Sequence, residues 1–162
     1  MRRILGLTSA LALSACVDWP RESEENALAR RRTLPRELAG CWALYAKDGE
    51  RVGTSYRNAA PVVRLESTHV YPGPDTQPDM LRQAVALDTL GRVMRRVAWS
   101  VHASGDSMRV SFVDGFSGAE FVFAVPRRRG NTMRGRAEEH WDFGRVDNDR
   151  GRVSAVRVAC PR

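Results

Sequence analysis

The sequence predicts an all-β domain, an antiparallel up-and-down barrel of about eight strands with a β-sandwich as the alternative arrangement. From residue 41 onward, short runs rich in Val, Phe, Tyr and Trp recur between turn signals of Gly, Asp, Asn and Pro. Within several runs apolar and polar residues alternate, which is the period of a strand with one buried and one wet face. No segment after residue 40 sustains a helical period.

Each run takes its place in order. CWALYA (41–46) leads through Lys47-Asp48-Gly49 to RVGTSYR (51–57), read as a second strand. PVVRLEST (61–68), LRQAVALDT (81–89) and RVMRRVAWSVH (92–102) follow. In the last of these Val93, Val97, Trp99 and Val101 share a face, and Arg95 interrupts it. DSMRVSFV (106–113) sets Met108, Val110 and Phe112 against Ser107, Arg109 and Ser111. AEFVFAVP (119–126), NTMRGRAEEHW (131–141) and RVSAVRVAC (152–160) complete the set. When neighbouring strands pair, Met108, Val110 and Phe112 with Phe121, Phe123 and Val125 form one apolar surface, the expected ligand-binding lining of a barrel interior.

The N-terminus carries a different signal. Arg2 and Arg3 precede an apolar run, Ile4 to Leu13, and then the small residues Ser14 and Ala15. This is the layout of a signal peptide over residues 1–15. Leu13-Ser14-Ala15-Cys16 resembles the lipobox of bacterial lipoproteins, which implies cleavage before Cys16 and acylation of its thiol. Two or three acyl chains anchor durably where one does not. The resemblance implies an exported, lipid-anchored protein of the cell envelope with a membrane as partner, and Val17 after the cysteine permits outer-membrane sorting. With Cys16 taken by lipid, the remaining cysteines are Cys41 and Cys160, an even pair in an oxidising compartment. Their disulfide would enclose roughly 120 residues and, by chain entropy, contribute about 4.7 kcal/mol; two buried free thiols are the alternative. Because they open the first run and close the last, their pairing favours a closed barrel without exposed edges.

Residues 16–36 read as the lipidated N-terminus and a tether, and 37–162 as the barrel domain. VDWPRESEENALARRR (17–32) has segregated charge that suits either a mobile spacer or a short solvated helix starting near Ser23. The chain as a whole carries +7, and only one of its 26 basic residues is a lysine, Lys47. Such a charge raises nucleic acid as a partner, but export removes that expectation and leaves anionic lipid or envelope polymers. A compositional bias of the coding sequence explains the arginines equally simply.

LPRELAGCWALY places Gly-x-Trp at the start of the first strand and is similar to the opening motif of lipocalin-like barrels. The resemblance implies that a short 3-10 helix closes one end, that Gly40 allows a close turn and that Trp42 plugs the base. It also implies that an arginine of the last strand, Arg157 or Arg152, covers the tryptophan. A second lipocalin triplet and the helix that usually follows the barrel are not evident.

Little else suggests chemistry. His69, His102 and His140 lack metal-ligand spacing, so neither metal nor cofactor is expected. Glu138-Glu139-His140-Trp141-Asp142 offers carboxylates beside an aromatic, as glycoside hydrolysis would need, but adjacent carboxylates on a strand point to opposite faces. Ser100, Ser111 and Ser154 have no nucleophile elbow. Arg127-Arg128-Arg129 reads as a hairpin tip with a possible anion contact. HVYPGPDTQPD (69–79) reads either as a loop over a barrel mouth that Tyr71 and Met80 would gate, or as an ordinary surface excursion. The expected function is a non-enzymatic barrel that binds a small apolar or amphipathic ligand, the competing one a protein-interaction module such as an inhibitor or assembly factor.

Overall fold

A computed structural model describes residues 24–161 apart from 48, 54, 55, 57, 71–80, 116, 127–129 and 142–150, with backbone only at 140 and 141. One helix, α1 (Glu24–Leu38), precedes eight strands: β1 (Gly40–Ala46), β2 (Val62–His69), β3 (Arg82–Leu87), β4 (Val93–Val101), β5 (Ser107–Ser111), β6 (Ser117–Ala124), β7 (Thr132–Trp141) and β8 (Gly151–Val158). Each strand pairs antiparallel with its sequence neighbour, and β1 pairs with β8. The architecture is therefore a closed up-and-down barrel, lipocalin-like in form, and the sandwich alternative does not occur.

The interior follows the alternation. Trp42, Leu44, Val63, Leu65, Ala84, Ala86, Trp99, Val101 and Met108 point inward with Val110, Phe121, Phe123, Met133 and Ala155, and all are buried. Met108 lies opposite Phe123 and Val110 opposite Phe121 in the β5–β6 register, which joins the two apolar sets expected to meet. Phe112 and Tyr56 each meet the Phe121 ring edge-on with centroids 5.4 Å apart. Small residues on neighbouring strands make room for these rings. A Cβ at Gly135 would come within 2.2 Å of the Val122 carbonyl oxygen and 2.9 Å of the Phe123 Cα, so only glycine fits at that place.

Both ends are filled. β1 starts, and β2, β4, β6 and β8 end, on the side where α1 packs. Leu34, Pro35 and Leu38 of α1 are buried there, and Gly105 of the β4–β5 turn lies against Ala27 and Arg31. The closing element is thus a 15-residue α-helix rather than a short 3-10 turn. It begins one residue after the expected Ser23 but runs across the expected boundary at residue 36 into the domain. The acidic pair Glu24 and Glu25 occupies its first turn, as the helix dipole favours.

At the opposite end, the described residues of 51–57 do not form a strand. Only Arg51 bridges to Tyr45, after which Val52 donates its N–H to the Leu44 carbonyl at 2.9 Å and the chain turns inward. Val52, Ala59 and Ala60 are buried and Tyr56 packs against the core, so the segment is a plug. Arg95, which breaks the alternation of β4, points in because this plug needs a donor. Its guanidinium bonds the carbonyl oxygens of Asn58 and Phe112, lies 3.6 Å from Asp114 and approaches the Phe112 ring at 6.0 Å.

Outside the barrel, Cys41, Val62, Val85 and Leu87 form a second apolar cluster with Val158 against it. The chain after β8 runs over this side. Cys160 is bonded to Cys41, with Cα atoms 5.1 Å apart, and Pro161 rests on Gly91. A Cβ at Gly91 would sit 2.2 Å from the Pro161 Cβ, and its φ of 83° favours glycine in any case. Asp88 shapes this β3–β4 turn by accepting the backbone N–H groups of Leu90 and Arg92. Among the described residues no helix is long and apolar enough to cross a membrane.

Candidate functional site: an arginine-rimmed groove beneath the helix

A cavity of about 490 Å³ opens between α1, the β6–β7 connection and β8, within the range of small-ligand sites. Leu34 and Leu38 of α1, Trp42 of β1, Val125 and Met133 form its floor. All are nearly or fully buried, so the floor offers little surface and the reachable walls are mainly side chains of the rim. That rim carries Arg30, Arg36, Glu37 and Arg157, with Pro126, Gly130 and Asn131 on the strand side.

The helix end explains how these groups are held. An α-helix leaves its last four carbonyls without intrahelical donors. Here Trp42 donates its indole N–H to the Leu38 carbonyl at 2.9 Å. Arg157 donates from Nη2 to the carbonyls of Glu37 and, at 3.3 Å, of Ala39. The same guanidinium lies 4.9 Å from the centroid of the Trp42 ring, close enough for a cation–π contact. On the other side Arg30 reaches from the helix to the carbonyls of Val125 and Pro126, at 3.2 and 3.3 Å. Helix and barrel are therefore clamped at both rims by arginines bonded to neutral oxygens.

Gly40, Trp42 and Arg157 come together at the barrel base as the lipocalin resemblance implies, with Gly40 at φ 124°. Arg152 lies near the start of β8 at the far end and takes no part. The six expected ligand-binding residues divide. Met108, Val110, Phe112, Phe121 and Phe123 are 0 % exposed and packed against one another as core, whereas Val125, 7 % exposed, lines the groove. Their alternation fixes which way they face; the space they enclose is occupied by their own rings.

Other candidates are distributed over the surface. Glu138 bonds Arg136 at 3.0 Å on the outer face, while Glu139 lies on the opposite face beside Ala119 in the register, so the two carboxylates do not converge. Ser104, His102 and Asp106 meet in the β4–β5 turn: Ser104 Oγ is 2.8 Å from His102 Nδ1 and donates to Asp106. The hydroxyl proton is committed to the carboxylate and all three side chains belong to one exposed turn, so the contact braces the turn and does not arm a nucleophile. The Ser104 hydroxyl holds the Asp106 carboxyl below its ordinary value of 3.8. Among the described residues no group of His, Cys, Asp and Glu could hold a metal ion. Cys16, Tyr71, Met80 and Arg127–Arg129 lie outside the described residues.

Sequence reasoning passed over Arg30, Leu34, Leu38 and Arg36. A signal for the first three was present: Arg30, Leu34 and Leu38 recur every four residues, the spacing of one helical face. Compared with protein-family models, curated proteins and solved structures, the chain matches none.

Proposed function

We propose that this chain is a lipid-anchored protein of the bacterial envelope that holds a small amphipathic ligand, without catalysing a reaction, in the groove beneath α1. The groove carries the reading: it is a cavity of ligand size, built from a buried apolar floor and a polar rim, in a barrel whose interior is otherwise filled. Lipidation at Cys16 accounts for the leader and for the odd cysteine left outside the Cys41–Cys160 pair. Anchoring would place the groove near a lipid surface, because α1 follows the anchor within a few residues.

The test uses the full chain carrying Cys16→Ala, exposed to an envelope lipid extract and examined by native mass spectrometry. A retained ligand is expected, and Asn131→Trp, which fills the groove from its exposed rim, should abolish it. Retention unaffected by that substitution, or no retention at all, would remove the groove as a ligand site. Labelling with a palmitate analogue tests the anchor separately, since wild type should take the label and Cys16→Ala should not.

One observation favours a second reading, the protein-interaction module. Leu90, Val93, Met94 and Val113 are exposed toward the barrel end opposite α1, with Leu90 70 % exposed, and exposed large apolar side chains are the residues that contact surfaces use. Loss of co-purifying protein in Met94→Glu, with no ligand in the groove, would support it.

A further inference from the structure

We infer that the groove selects an anion-headed, single-chain amphiphile, its phosphate or carboxylate held by Arg36 and Arg157; this rests on the groove being the ligand site. The charges on the rim are unequal. Arg30, Arg36 and Arg157 face one carboxylate, Glu37, and the carbonyl end of α1 adds only about half a negative charge. The site is positive before any ligand enters.

The guanidiniums also retain donors. Arg157 spends Nη2 on two carbonyls, and its remaining contact is the indole face. All three partners are neutral, so its charge is not cancelled and Nε and Nη1 stay available. Arg36 is exposed and has no partner among the described residues. Guanidinium–anion bonds of this type are roughly twice as strong as neutral ones and suit the planar fork of arginine. The floor, in contrast, is so deeply buried that a purely apolar ligand would find little to cover. A chain laid against exposed Pro126 and the aliphatic stems of the rim arginines, with an anion at their guanidiniums, uses both kinds of surface; a neutral amphiphile uses one.

Isothermal titration of the Cys16→Ala chain with dodecyl phosphate, 1-monolauroylglycerol and inorganic phosphate separates the contributions. Dodecyl phosphate should bind, weaken as salt rises, and exceed the neutral lipid by about tenfold or more. Arg36→Gln should weaken dodecyl phosphate by roughly fivefold and leave the neutral lipid unchanged; it lies on the exposed side of α1 and leaves the fold intact. Equal, salt-independent binding of both amphiphiles would overturn the charge selection while keeping the groove. Inorganic phosphate binding as tightly as dodecyl phosphate would overturn the amphiphile and leave a simple anion site. Binding of neither amphiphile, or binding that survives Asn131→Trp, would overturn the groove itself.

Discussion

Arg157 stabilises the helix end in two ways, by bonding the carbonyls of Glu37 and Ala39 and by covering the Trp42 ring. Replacing it with alanine exposes the ring and returns both carbonyls to water, which a partly solvated site makes cheaper than a buried one. Arg157→Ala is expected to lower stability by about 1–2 kcal/mol, read as a fall in the urea midpoint at unchanged slope. Lysine has one compact ammonium in place of a planar fork and should recover less than half of the loss. The sequence narrowed this role to Arg157 or Arg152, because Gly-x-Trp anticipates a cationic cover from the last strand. Arg30 and Arg36 were not legible: in an arginine-rich chain a helix-borne arginine carries no mark of what it will face.

Among the elements, α1 and the 47–61 connection show where patterning stops being informative. The strands announce themselves because each has a wet face and a dry face. The helix buries only a narrow stripe, Leu34, Pro35 and Leu38, so its polar remainder reads as a tether. Val52 and Tyr56, four apart, fill the barrel end, and the described part of this connection is held by backbone bonds and the inward Arg95 instead of a ladder. The β4–β5 turn supports a sharper expectation. The Ser104 hydroxyl lowers the Asp106 carboxyl, so its stabilisation is fully present above the ordinary carboxylate value and disappears as pH falls through the lowered one. Ser104→Ala should therefore be less stable than wild type at neutral pH, with the gap closing in acid as the pH falls through the lowered value of Asp106. Carbon-detected titration of Asp106 should show its midpoint rise in the variant; an unmoved midpoint would mean that the hydroxyl does not act on it.

At the scale of the whole molecule the fold was readable and the site was not, for one physical reason. Alternation reports the side on which a residue lies, while the vacancy that makes a binding site is a property of the volume left after packing. Phe112, Phe121 and Phe123 face inward as expected and consume that volume, whereas the groove arises between three segments far apart in sequence. The disulfide joins two places as far apart in sequence, the start of β1 and the chain after β8. Replacing Cys41 and Cys160 by serine together should cost about 2–5 kcal/mol and raise the denaturant slope, as the unfolded chain expands. The barrel itself should persist with unchanged circular dichroism, since β1 and β8 pair over six residues, Cys41 to Ala46, independently of the crosslink.

That crosslink also decides how the molecule carries a mechanical load. A pull applied on either side of the crosslink passes along α1 to Cys41, crosses the sulfur bridge to Cys160 and leaves through the chain that follows it. The 119-residue span between the cysteines is bypassed, so tension on the chain tests the seating of α1 and never the sheet. In a force spectrometer the oxidised protein should yield only the short extension of its helix. Reduction should release a hidden length of roughly 400 Å, at about 3.5 Å per extended residue. A domain pulled from both sides of its crosslink would in this way shed its helix under load, and with it the groove, while the barrel stayed intact.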